Sequence, residues 1–168
     1  NARWWKQEFN GNTKIIGNCN ISNQAVVKGN LYVEGDLTIS GGAPVCTLDG
    51  NIYATGKIHF GNDFVGTGCV FAGKDITFTG GFVQADRTTA ICLYSENGNI
   101  TLSNRDYEIH GMIYAPEGTV SVVGGNVNIY GSIIADKINY GSPNNLRMYA
   151  SDVTLPFELS KAVTRLVL

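Results

Sequence analysis

The side chains with chemistry to offer are four cysteines, two histidines and a scatter of aspartates. Cys69 and Cys92 each precede an apolar–aromatic pair, Val70-Phe71 and Leu93-Tyr94, so they hold the same position of a repeating segment. If those segments stack as neighbouring strands, their Cα atoms lie ~4.8 Å apart, inside the ~4.4 to 6.8 Å span of a disulfide. Cys69 with Cys92 is therefore the expected bridge, worth roughly 3 kcal/mol for a loop of that size. Cys19 with Cys46 is the next candidate pair, although the inward phase of Cys19 also suits a plain buried thiol. Four structural thiols in a reducing compartment are the alternative. Paired Cys-x-x-Cys spacing does not occur, so no zinc or other metal is expected. His59 and His110 fall at different repeat positions and read as surface polar groups. Asp36, Asp75 and Asp136 recur beside turns but are interrupted by Lys57, Asn99 and Thr119, a pattern of turn capping rather than of an acid pair. Asp49, Asp63 and Asp86 lie on a variable side where a groove could form. The Gly-rich stretches join strand to strand, which is not the context of a phosphate-binding loop. The sequence thus offers neither catalytic residues nor a cofactor site.

The elements that hold these residues repeat along the whole chain. One segment carries a fixed aromatic: Asn30-Leu31-Tyr32-Val33, Asn51-Ile52-Tyr53-Ala54, Cys69-Val70-Phe71-Ala72, Cys92-Leu93-Tyr94-Ser95 and Met112-Ile113-Tyr114-Ala115. After a short spacer comes an alternating run with an apolar anchor at Leu37, Ile58, Ile76, Ile100, Val120 and Ile138. The anchors are 21, 18, 24, 20 and 18 residues apart. Two short strands per unit at that period describe the coil of a stacked solenoid. A weaker first unit, Ile15 to Ile21, places Cys19 one coil before Leu37, so about seven coils are expected. The fold class is all-β, a single-domain parallel β-helix.

Strand alternation assigns the faces. Leu31, Ile52, Val70, Leu93, Ile113 and Ile133, with the small Val33, Ala54, Ala72, Ser95, Ala115 and Ala135, form the interior. Tyr32, Tyr53, Phe71, Tyr94 and Tyr114 must then point outward as a ladder of rings, the candidate ligand-binding strip. Exposed rings suit a polysaccharide, while the competing reading is that the rings only support one another. A second outward row, Thr38, His59, Thr77, Thr101, Ser121 and Asn139, is too mixed for an ice-binding face, which stays a remote alternative beside a polysaccharide-degrading β-helix.

With 21 glycines and 15% charged residues, the composition fits tight corners around a thin apolar column. A net charge of −2 gives no electrostatic footprint for nucleic acid. No apolar run spans a bilayer, so membrane attachment is expected only through a segment upstream of Asn1. Three regions follow: a cap or lead-in over 1–12 holding Trp4, Trp5 and Phe9, a solenoid over 13–155, and a capping helix over 156–168. The helix rests on Leu159, Ala162, Val163, Leu166 and Val167, which share one face after Pro156.

The stretch Gly111-Met112-Ile113-Tyr114-Ala115-Pro116-Glu117-Gly118-Thr119-Val120-Ser121-Val122, followed by Val127 to Asp136, resembles the closing solenoid of minor-pilin-like bacterial surface proteins. More distantly the chain is similar to bactofilins, polymer-forming β-solenoids, from which it departs in its cysteines, irregular third sides and C-terminal helix. The resemblance implies an extracellular or cell-surface module of the type IV pilus kind, without catalytic residues and with other pilus or surface-assembly subunits as partners. The alternative it implies is a self-assembling homopolymer.

Overall fold

The computed structural model describes residues 6–40, 45–83, 90–103, 105–141 and 145–150. Their strands are β1 (Lys6–Ile16), β2 (Cys19–Ile21), β3 (Gln24–Glu34), β4 (Leu37–Ile39), β5 (Cys46–Ala54), β6 (Ile58–Phe60), β7 (Phe64–Ala72), β8 (Ile76–Phe78), β9 (Phe82–Val83), β10 (Ile91–Ser95), β11 (Ile100–Ser103), β12 (Tyr107–Val123), β13 (Asn126–Gly141) and β14 (Asn145–Tyr149). Every pairing between them is parallel and links each segment to its equivalent one repeat away. The result is a parallel β-solenoid with three sides per coil. The expected strands and their two-residue alternation are present, and no helix occurs among the described residues.

Register counts the turns. Lys14, Tyr32, Tyr53, Phe71, Tyr94, Tyr114 and Ile134 are successive register partners, which makes about six turns. The count of about seven coils expected from the sequence numbers the anchors rather than the intervals between them. Strand pairing is already in place at Lys6, which is in register with Gln24. The proposed capping helix, Trp4 and Trp5 lie outside the described residues.

One coil shows why this sequence folds so. In β3, Ala25, Val27, Leu31 and Val33 are buried while Lys28 and Asn30 are exposed, because a glycine between them turns the strand. That corner is a column: Gly11, Gly29, Gly50 and Gly68 are register partners, each with positive φ. A Cβ on Gly29 would stand 2.5 Å from the carbonyl oxygen of Gly11 in the coil below. On Gly50 or Gly68 it would meet the carbonyl of the preceding corner glycine still more closely. Only glycine satisfies both the backbone angle and the stacking distance there.

The interior is one continuous apolar column, with Leu37, Ile58, Ile76, Ile100 and Val120 stacked on the third side. Phe60 and Phe78 stack at 4.6 Å in its middle, and Phe64 meets both edge-on. Tyr107 enters the same cluster with its hydroxyl satisfied: it accepts from the Ser103 N–H (3.0 Å) and donates to the Gly80 carbonyl (3.0 Å). Its burial pushes the phenol up to about 12.

Turns are tied by side-chain acceptors that each take the N–H one coil on. Asn18 Oδ1 accepts from Asp36 N (2.9 Å), Asp36 Oδ1 from Lys57 N (2.8 Å), Asp75 Oδ1 from Asn99 N (3.0 Å), and Asn99 Oδ1 from Thr119 N (2.8 Å). At the one step where Lys57 cannot accept, its ammonium pairs with Asp75 at 3.0 Å. The backbone bond from Asn99, with Lys57 beside it, holds the Asp75 carboxyl below the usual carboxylate range. These aspartates act as turn caps, as their sequence pattern implies.

Candidate functional site

The outward face of the second side carries two adjacent columns set by the strand period. The first is the ladder Tyr32, Tyr53, Phe71, Tyr94 and Tyr114, in continuous register. Four of its rings are half-buried, and Tyr53 is 37% exposed. Tyr32 and Tyr53 stack at 4.9 Å with planes 3° apart, and Tyr94 and Tyr114 at 5.2 Å and 25°. Those rings cover one another's faces and turn edges and hydroxyls outward. Stacking breaks at Phe71, tilted 40° from Tyr53 and 84° from Tyr94, so the rings at the middle of the strip do not lie face to face. The ammonium of Lys14 sits 5.4 Å from the Tyr32 centroid and closes the lower end by a cation–π contact. Desolvation raises the Tyr53 and Tyr94 phenols, with Glu96 adding to both, so the hydroxyls stay neutral donors at physiological pH.

The second column, two residues earlier in each strand, reads Asn12, Asn30, Asn51, Cys69, Cys92, Met112 and Ser132. Its lower half is an amide ladder: Asn30 Nδ2 donates to Asn12 Oδ1 (2.7 Å) and Asn51 Nδ2 to Asn30 Oδ1 (2.8 Å). Asn51 Oδ1 then accepts the Cys69 N–H at 3.2 Å. Above that, Cys69, Cys92 and Met112 form a buried sulfur-bearing cluster, separate from the main core and walled by Phe71, Tyr94 and Tyr114. The amide ladder was within reach of the sequence, since Asn30 and Asn51 open equivalent repeat segments.

All four cysteines are free thiols, so neither the Cys69–Cys92 nor the Cys19–Cys46 bridge expected from the sequence is present. Cys69 and Cys92 are register partners as expected. In-register parallel strands, however, hold equivalent Cβ atoms near the ~4.8 Å strand spacing, beyond the ~3.5 to 4.5 Å that a disulfide needs, even though the Cα distance is suitable. The two neighbouring thiols influence each other instead, which lowers the Cys69 thiol and raises that of Cys92, with burial raising Cys92 further. Cys19 pairs with Leu37 and Cys46 with Phe64, both facing the core. Burial pushes the Cys46 thiol up to about 12.

The histidines divide. His59 lies in the outward row of the third side, between Thr38 and Thr77. His110 is buried, not a surface residue: its ring stacks on Tyr130 at 4.3 Å and its Nε2 lies 3.3 Å from Glu108 Oε1. Tyr130 stacks in turn on Tyr149 at 4.6 Å, extending a second ring column along the first side. The recurring aromatic segments do not include His110, so the sequence gives no sign that it is the register partner of Tyr130.

A groove of about 550 Å³ opens where Asp63, Phe64, Val65, Arg105 and Asp106 meet. One oxygen of each carboxylate is committed to backbone: Asp63 accepts from Gly81 N (2.8 Å) and Asp106 from Asn126 N (2.9 Å). Asp49 stands apart, in register with Lys28 and Thr67, and Asp86 lies outside the described residues. No group of three or more His, Cys, Asp or Glu side chains arranged to hold a metal occurs among the described residues. Among them, too, no helix is long and apolar enough to cross a membrane.

Comparison with known proteins places the chain by family alone. No curated protein and no solved structure matches it significantly. A family model described as "Domain of unknown function (DUF7305)" matches residues 10–152, most of the chain, and the chain belongs to that family.

Proposed function

We propose that this solenoid is a non-enzymatic module of the bacterial cell surface, pilus-associated, that contacts an extended polysaccharide along its second side. The observation carrying the reading is the outward ladder from Tyr32 to Tyr114, running beside the amides of Asn12, Asn30 and Asn51. A repeating polymer meets a repeating set of hydroxyl and amide groups at one strand spacing per step. Recognition is then by ring edges and hydrogen bonds, with apolar stacking confined to the break at Phe71. The resemblance of Gly111 to Asp136 to minor-pilin-like solenoids supports the location and the partnership with other surface-assembly subunits. The free thiols withdraw one argument for an oxidising compartment.

The test replaces Tyr53, Phe71 and Tyr94 together by Ser and compares retention on a panel of insoluble polysaccharides. Retention of the natural chain and its loss in a variant with an unchanged β-sheet circular dichroism spectrum are expected. Equal retention, or none by the natural chain on any glycan, defeats the reading.

A second reading, end-to-end self-assembly, is favoured by a separate observation. In the last coil, Ile138 and Tyr140 continue core rows yet are exposed, and Met148 and Tyr149 are exposed on the following strand. On the adhesion reading this end is covered by the amphipathic face of residues 156–168. On the polymer reading it receives another copy. Truncation before Pro156 separates them: filaments or concentration-dependent oligomers only after truncation support capping, and filaments from the full chain support the polymer.

A further inference from the structure

We infer that Cys69, Cys92 and Met112 form a binding site for a soft monovalent metal ion of the Cu(I) class. The three residues occupy one register row on consecutive rungs and pack as a buried cluster of their own. Thiolate and thioether sulfur together are the donor set that selects Cu(I), whereas hard cations find no carboxylate in the cluster and zinc lacks the four donors of its tetrahedral site.

Spacing carries the argument further. Metal–thiolate bonds of this size are roughly 2.3 Å, so a linear S–metal–S bridge spans about 4.6 Å. Side chains stacked in register are ~4.8 Å apart. Parallel register that holds the Cβ atoms too far apart for a direct S–S bond leaves room between the sulfurs for a two-coordinate d10 ion. Met112 lies one rung beyond Cys92, and three rotatable bonds let its thioether fold back as a weaker third donor. Binding exchanges two thiol protons, released to solvent, for one cation. The site then carries a single net negative charge, half that of the bare dithiolate. The phenyl and phenol rings of Phe71, Tyr94 and Tyr114 shield it from water and oxygen. Cys92 is fully buried, while Cys69 and Met112 keep 4% and 6% exposure, so an incoming ion meets Met112 and Cys69 before Cys92 and passes inward by ligand exchange. Cys19 and Cys46 face the core among apolar side chains on other rows, and serve as internal controls.

The experiment titrates the chain with Cu(I), kept reduced by ascorbate under nitrogen, against a coloured Cu(I) chelator. One Cu(I) per chain is expected. The paired substitution Cys19→Ser and Cys46→Ser retains it, and Cys69→Ser weakens it beyond the roughly 100-fold that outer-shell changes cost. Met112→Leu weakens it by about tenfold, at the low end of that range. A second measurement needs no variant: one equivalent of Ag(I), which has no accessible redox change, should block alkylation of Cys69 and Cys92 in mass mapping. Failure of the natural chain to withdraw Cu(I) from the chelator overturns the inference. So does retention after Cys69→Ser, loss in the Cys19/Cys46 variant, or alkylation of Cys69 at an undiminished rate with Ag(I).

Discussion

Substituting alanine at Gly68 separates coil-to-coil crowding from ordinary backbone preference. Gly68 has φ +123°, and a Cβ there would press on the Gly50 carbonyl of the coil beneath. The backbone angle alone costs a non-glycine residue about 1–3 kcal/mol. Relief of the contact requires the two coils to part at the corner, which stretches a ladder hydrogen bond between them. Weakening that bond and a neighbour adds about 1 kcal/mol each, for a total of roughly 3–5 kcal/mol. Gly11 is the first of that column among the described residues, has φ +71°, and a Cβ there would meet nothing within 4 Å. Its alanine variant pays only the left-handed penalty, about 1–2 kcal/mol. Gly29 separates crowding from position: it is one coil from Gly11, near the same end of the rod, yet crowded by the Gly11 carbonyl. Urea unfolding followed by far-ultraviolet circular dichroism reads the three variants. With slopes of about 1–3 kcal/mol/M, Gly68→Ala and Gly29→Ala should lower the midpoint by more than about 1 M, and Gly11→Ala by less. If Gly29→Ala behaves like Gly11→Ala, the corner column is not under contact and the reasoning fails.

Two further outcomes follow from buried or committed ionisable groups. Cys46 (ordinary value 9.0) and Tyr107 (10.0) are both held at about 12 in the fold. The folded chain therefore keeps protons that the unfolded chain releases; their contribution is complete below pH 9 and is lost as pH rises toward 12. Thermal stability should fall steeply above pH 9, and Cys46→Ala together with Tyr107→Phe should flatten that fall; an unchanged alkaline slope would count against the burial of both groups. Asp75, whose carboxyl is lowered, works in the opposite sense: its contribution is present above 3.8 and lost as pH falls below it. Asp75→Ala should cost about 0.5–1.5 kcal/mol by removing the acceptor of the Asn99 N–H and should weaken the acid dependence, whereas Asp75→Asn should recover most of the neutral-pH loss. Equal losses in the two would show that the acceptor oxygen is not what matters.

Much of the architecture was legible because alternation and recurrence are local properties. Leu31, Ile52 and Val70 had to share a face with Val33, Ala54 and Ala72, and their burial follows. The outward placement of Tyr32 to Tyr114 came from the same phase, but ring orientation did not. Whether stacked aromatics offer faces or edges depends on side-chain torsions, which no periodicity encodes, and the break at Phe71 is of that kind. The cysteine pairing failed on a related point: register was read correctly, while bond formation depends on Cβ separation rather than strand neighbourhood. His110 escaped because its partners, Tyr130 and Tyr149, follow it in the chain, so phasing from earlier coils gave no ring row to join.

The in-register corner glycines also make the molecule's length a quantised property. Each coil adds one strand spacing, ~4.8 Å, along the axis whether it uses 18 or 24 residues, because strand register alone fixes the step. Insertion or loss of a whole coil changes reach in fixed steps and leaves every lateral row in phase, whereas a one-residue change within a strand would throw that rung's side chains to the wrong face. A chain built this way is a ruler, and its length along the axis is written in its number of coils.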